Sequence, residues 1–139
     1  MPHHSCVKLA YHIVWTTKNR EALILPSFQS RVYSFCGRLA LLKSHNLIAV
    51  GGTHNHIHCL ITTICTDVSP REIVILLKAN SSRFIRQNFV PYFAWQEGYG
   101  IFTVNFESIP RLLHYIKDQD KHHQTYTLEN ELLQLENIK

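Results

Sequence analysis

Charge is scarce in this chain: 17% of its residues are charged against 45% hydrophobic. That balance excludes a self-repelling, disordered chain and predicts a buried core. Long apolar runs are absent as well. None approaches the roughly 18 continuous residues that span a bilayer. The opening Met-Pro-His-His-Ser has neither the charged start nor the apolar stretch of a secretory signal, so the expected location is the cytoplasm, with no membrane partner. Cysteine is present only as Cys6, Cys36, Cys59 and Cys65. Their spacing fits neither a zinc ribbon nor a dense disulfide scaffold, and they read as buried free thiols. Internal repeats and low-complexity tracts are missing too. With 139 residues, the chain is expected to form one domain over 1–139.

What the chain does carry is a mild excess of positive charge and many histidines. A net charge of +4 and a pI of about 9.0 permit a polyanionic partner without requiring one. Of the ten histidines, His3 and His4 sit at the terminus, and most of the others are dispersed. That dispersal points to imidazole being used inside the fold.

Residues 11–17, Tyr-His-Ile-Val-Trp-Thr-Thr, are mostly β-branched or aromatic and predict a central strand. Pro26 then opens a segment to His45 in which Phe28, Val32, Phe35, Leu39 and Leu42 recur at helical spacing. Residues 47–53 and 57–64 read as two strands of a hairpin joined through His54-Asn55-His56. Ser69 as cap, Pro70 in the first turn and Glu72 near the positive dipole end predict a second helix to about Asn88. A strand over 101–106, a third helix over 108–119 and a short last helix over 127–137 complete the chain. The order β-α-β-β-α-β-α is the ferredoxin-like α+β pattern: an antiparallel sheet with helices packed on one face. The additional C-terminal helix is then available to serve a site.

Side chains alternate along a strand, so His56 and His58 point to one side and Ile57 to the other. Two imidazoles on one face can chelate a divalent cation. The plain alternative is a pair of solvated or hydrogen-bonded histidines, with His54 in the turn. On the third helix Tyr115 and Gln119 are one turn apart on one face, which alone is equally the mark of a half-buried tyrosine and a surface glutamine. Lys18, Arg20, Lys78, Arg83 and Arg86 could neutralise phosphates, and Trp95 and Tyr99 could stack on unpaired bases. The alternative is a solvated helix face with core aromatics.

Five segments in order resemble one family. They are Tyr11-His12-Ile13-Val14-Trp15-Thr16-Thr17-Lys18, Gly51-Gly52 leading to His56-Ile57-His58, and Leu77-Lys78-Ala79-Asn80-Ser81-Ser82. Trp95-Gln96-Glu97-Gly98-Tyr99-Gly100 and Tyr115-Ile116-Lys117-Asp118-Gln119, with His122-His123 beyond, complete the set. Over nearly the whole chain these are similar to the single-tyrosine HUH transposases of small bacterial insertion sequences and their relatives associated with palindromic repeats. The resemblance implies a transposase that nicks and rejoins single-stranded DNA through a 5′-phosphotyrosine link. Tyr115 would be the nucleophile, with His56, His58 and Gln119 the metal ligands. It also implies a homodimer in which the tyrosine helix of one subunit often completes the other's site, and hairpin ends of an insertion element as substrate.

The sequence departs from the family at His54-Asn55, where Pro-Asp usually stands, so a carboxylate that could orient a ligand histidine is missing. Phosphate and water oxygens beside the two imidazoles favour Mg2+ or Mn2+ as the working ion. Competing readings are a domesticated relative that binds or processes hairpin DNA without mobilising an element, and a non-enzymatic metal-binding module. A replication initiator or relaxase would normally be a much longer chain.

Overall fold

The computed structural model describes residues 7–43, 45–63 and 69–118. Gln119, the helix expected over 127–137, Cys6 and Cys65 lie outside the described residues. The elements are β1 (Leu9–Thr16), α1 (Pro26–Leu42), β2 (His45–Gly52), β3 (His56–Thr63), α2 (Pro70–Asn88), β4 (Gly100–Thr103) and α3 (Ile109–Lys117). The four strands form one antiparallel sheet in the order β2-β3-β1-β4. The α+β architecture expected from the element order is therefore the one observed.

Alternation along the central strands separates two layers. Ile13 and Trp15 of β1 and Ile57, Cys59 and Ile61 of β3 face α1 and α2. With Phe28, Val32, Cys36, Ile73, Leu77 and Ile85 they form the main core. The opposite side of β3 turns Leu60 toward α3, where it packs with Ala49 and Ile116 in a smaller cluster ringed by Val104, Ile109, Leu112, Leu113 and Tyr115. Thus α1 and α2 cover one face, and α3 lies on the other.

A register shift between Leu47 and Ala49 lets α3 sit where it does. Leu47 is opposite Ile61 and packs on the main core, whereas Ala49 is opposite Leu60 and Gly51 opposite His58. One extra residue reverses the alternation of β2 and presents Ala49 and Gly51 to α3. A Cβ added at Gly51 would collide with the Ile116 carbonyl oxygen, so glycine there permits the helix backbone to approach the sheet.

Helix α2 begins as expected, with the Ser69 hydroxyl accepting from the Glu72 backbone N–H at 3.2 Å. Several boundaries differ, most by one or two residues. Helix α1 stops at Leu42, and His45 and Asn46 belong to β2, where they pair with Thr63 and Thr62. Strand β4 ends at Thr103, before the expected 106. The Asn105 side chain accepts from the Glu107 backbone N–H at 3.1 Å and starts a 3-10 turn over Phe106–Ser108, a local bond that competes with the strand ladder. Helix α3 consequently begins at Ile109.

Candidate active site

The two histidines of β3 are fully buried on the α3 side of the sheet, with ring centroids 5.0 Å apart. Helix α3 brings Tyr115 over them. Its ring stands edge-on to His58 at 5.7 Å and to His12 at 6.3 Å. His56, His58 and Tyr115, nearly sixty residues apart in the chain, thus occupy one site. The helix lies over histidines of its own chain.

The Nδ1 of His56 is 2.9 Å from both the Thr53 hydroxyl and the Asn55 side-chain oxygen. The Thr53 hydroxyl donates to that same Asn55 oxygen at 3.2 Å. With its proton committed there, Thr53 accepts from His56, so the His56 proton resides on Nδ1 and the lone pair on Nε2. Asn55 therefore keeps the orienting contact expected of a carboxylate in this place and lacks only its charge. Its amide N–H donates to the Arg20 carbonyl at 3.3 Å, tying the turn before β3 to the turn that follows β1.

His58 is paired with another histidine, whose role is not evident from its own segment of sequence. Its Nδ1 is 2.8 Å from Nε2 of His12, in the central strand β1, and the two rings are stacked 5.0 Å apart. His12 is 1% exposed. Burial holds its pKa down at about 4, so the ring is neutral at physiological pH. The available signal was its alternation: His12, Val14 and Thr16 share the face that carries His56 and His58, and a histidine amid Ile, Val and Trp is out of place in a buried strand.

His56 and His58 could serve as two of the ligands of a divalent cation. Two buried imidazoles face the same side, and His56 has its proton fixed away from Nε2. Among the described residues no group of three or more His, Cys, Asp or Glu is arranged to hold a metal ion, and Gln119 lies beyond them, one residue after the C-cap Asp118 of α3.

The basic residues divide by location. Lys18 and Arg20 are exposed on the turn after β1. This turn is held to the His56 loop by the Thr17 N–H donating to the Asn55 carbonyl at 2.8 Å. Both Asn19 and Arg20 adopt a left-handed backbone, at φ 56. Lys78 is half-buried, and its ammonium donates to the carbonyls of Gln96 and Gly98 at 2.8 and 2.9 Å. It clamps the 95–100 loop, and burial lowers its pKa, a shift that Glu97 partly opposes. Arg83 and Arg86 are exposed on α2, in the layer opposite the histidines, with Arg86 reaching the Phe93 carbonyl at 3.4 Å. Trp95 packs edge-on against Trp15 and Phe93 and donates its indole N–H to Ser81 at 3.0 Å. Tyr99 is exposed.

A profile of the family described as "Transposase IS200 like" matches residues 5–119, most of the chain and all of the site. The chain belongs to the IS200-like transposase family. No curated protein matches it. Solved structures share its fold. A candidate transposase from Deinococcus radiodurans R1 superposes with a TM-score of 0.68 at 21% identity, covering 86% of this chain and 96% of that one. A REP-associated tyrosine transposase bound to a REP hairpin superposes with a TM-score of 0.62 at 14% identity, covering 84% of this chain and 69% of that one. As an IS200-like transposase the chain is a DNA-processing protein, and none of its described helices is long and apolar enough to cross a membrane.

Proposed function

We propose that this transposase is a metal-dependent endonuclease and strand-transferase acting on single-stranded DNA, with Tyr115 as nucleophile. The observation that carries this reading is the placement of the Tyr115 ring against His58, whose ring in turn lies against His56, so that a phenol stands beside two imidazoles able to bind a cation. The phenol oxygen attacks a phosphodiester. A Tyr–O–P bond forms, the bond to the 3′ oxygen breaks, and that oxygen leaves as a 3′-hydroxyl. The bond energy remains in the 5′-phosphotyrosine, so a second 3′-hydroxyl can reverse the step and join a new strand without ATP.

A tyrosine of ordinary pKa, near 10, is about one-thousandth phenolate at neutral pH, so the site has to favour charge development on phosphate. A divalent ion, Mg2+ or Mn2+, bound by His56, His58 and Gln119 would act as Lewis acid on the scissile phosphate. The contribution of the chain is to bury the two imidazoles, fix their rings and hold Tyr115 on a helix seated against the sheet. Lys18 and Arg20, on the turn tied to the His56 loop, engage phosphates of the strand entering the site. Lys78 acts on DNA through the 95–100 loop that it holds, and Arg83 and Arg86 take more distant phosphates. The hairpin in the related structure supports hairpin element ends as substrate. Exchange of two ends calls for two sites, hence a homodimer, in which sites completed by the partner's α3 are the alternative to the arrangement within one chain.

The test is incubation with hairpin oligonucleotides bearing flanking single strands and Mg2+, read on a denaturing gel. A covalent protein–DNA adduct that disappears in Tyr115→Phe, with metal binding kept, is expected. Intact metal binding without any adduct would favour a non-enzymatic metal-binding module instead.

A further inference from the structure

His12 lies outside every role assigned above, yet it holds the nitrogen of His58 opposite the one a cation would use. Each neutral imidazole carries a single N–H. If His58 is to present the Nε2 lone pair to a metal, its proton must be on Nδ1, and that proton then points at His12 Nε2, 2.8 Å away. The donor to His12 leaves the His12 proton on its own Nδ1, an atom buried without a hydrogen-bond partner among the described residues. The strand around it is Ile13, Val14 and Trp15, all buried, and an apolar residue at this position would avoid the cost of leaving a buried polar atom unsatisfied. The neighbouring ligand shows the same logic in different chemistry: the Nδ1 proton of His56 is accepted by Thr53 and Asn55.

We propose that His12 is a positioning residue that accepts the Nδ1 proton of His58, fixing its tautomer and ring so that Nε2 faces the metal. This rests on the reading of His56 and His58 as metal ligands. Metal-bound histidines depend on such acceptors, and losing one typically weakens binding about 10–100-fold. His12 also occupies the space between His58, the Tyr115 ring and Phe102. Movement of His12 would therefore disturb ligand and nucleophile together.

The test measures Mn2+ affinity by electron paramagnetic resonance in wild type, His12→Leu and His12→Gln, each checked for folding by circular dichroism. His12→Leu, which fills the space without accepting, should bind about 10–100-fold more weakly. His12→Gln, whose amide oxygen can accept the same N–H, should recover most of the loss. Equal affinity in wild type and His12→Leu, or equal losses in both variants, would overturn the proposal while leaving the metal site in place. Absence of Mn2+ binding in wild type would instead remove the metal-ligand reading, and this proposal with it. A second readout needs no variant: nitrogen–proton correlation spectra of the Mg2+-loaded wild type should place the His58 proton on Nδ1. A proton on Nε2 would refute the assignment even if His12→Leu failed to fold.

Discussion

Replacing Gly51 by alanine tests whether the seating of α3 positions the nucleophile. A Cβ at Gly51 would lie 3.0 Å from the Ile116 carbonyl carbon and 3.1 Å from its Cγ2, and it would collide outright with the carbonyl oxygen. Carbon–carbon contacts settle at about 3.5–4.0 Å, so α3 must withdraw by roughly 0.5–1 Å to admit one methyl. Neither of the two backbones involved can rotate away as a side-chain tip would. Overpacking of this kind costs about 1–3 kcal/mol. Because Tyr115 precedes Ile116, the withdrawal moves the phenol with it, and a displacement near 1 Å can cost about 10²-fold in rate. Urea unfolding and the rate of adduct formation measure the two effects. Gly37→Ala is the control: its added Cβ meets only Leu47 Cδ2 at an ordinary 3.9 Å, and within helix α1 it should stabilise by about 0.5–1 kcal/mol. Wild-type stability and adduct rate in Gly51→Ala would refute the reasoning, since α3 would then not be seated on Gly51.

Further predictions concern DNA, acid and thiols. Arg20→Ala and Lys18→Ala should each reduce the salt dependence of single-strand binding by about 0.7 in slope, whereas Arg83→Ala should leave binding of a short scissile-strand oligonucleotide unchanged. An unchanged slope in Arg20→Ala would remove that residue from the strand path. In EDTA, stability should fall as pH drops from about 6.5 toward 4: the unfolded chain protonates His12 at its ordinary value, while the folded one resists to about 4. The difference amounts to about 3 kcal/mol; buried His45, also lowered by desolvation, acts in the same direction. Chemical denaturation across that range checks this, and a flat profile would contradict it. Cys36 and Cys59 are buried, with Cys36 pushed up to about 12 and Cys59 well above its ordinary value. Both should resist thiol reagents at pH 8 until the protein unfolds, as mapped by mass spectrometry.

Most of the architecture was legible because it rests on periodicity. The alternation around Ile57 correctly divided β3 into a core face and a histidine face, and Ser69-Pro70 marked the start of α2. Less legible were features set by pairing across the sheet. The register shift near Ile48, which turns Ala49 and Gly51 toward α3, follows from the match between β2 and β3 and leaves no mark in β2 alone. His12 acquires its meaning only when β1 is laid beside β3. Residue type alone did not reveal the structural ties of Lys78 and Trp95: both have the chemistry for nucleic acid, and in the fold one clamps a loop and the other packs against the core. Asn55 marks the opposite case. Its departure from the family pattern was visible, but only the geometry showed an amide oxygen still bonded to His56.

The central claim is that Tyr115 becomes covalently joined to DNA. Its most direct test is peptide mapping by mass spectrometry after wild-type protein has reacted with a flanked hairpin oligonucleotide and Mg2+. The account predicts a nucleotide-bearing phosphate on the peptide containing Tyr115, and none in a parallel reaction with EDTA. Cleaved DNA with the phosphate attached to any other residue, or with no protein adduct at all, would contradict it.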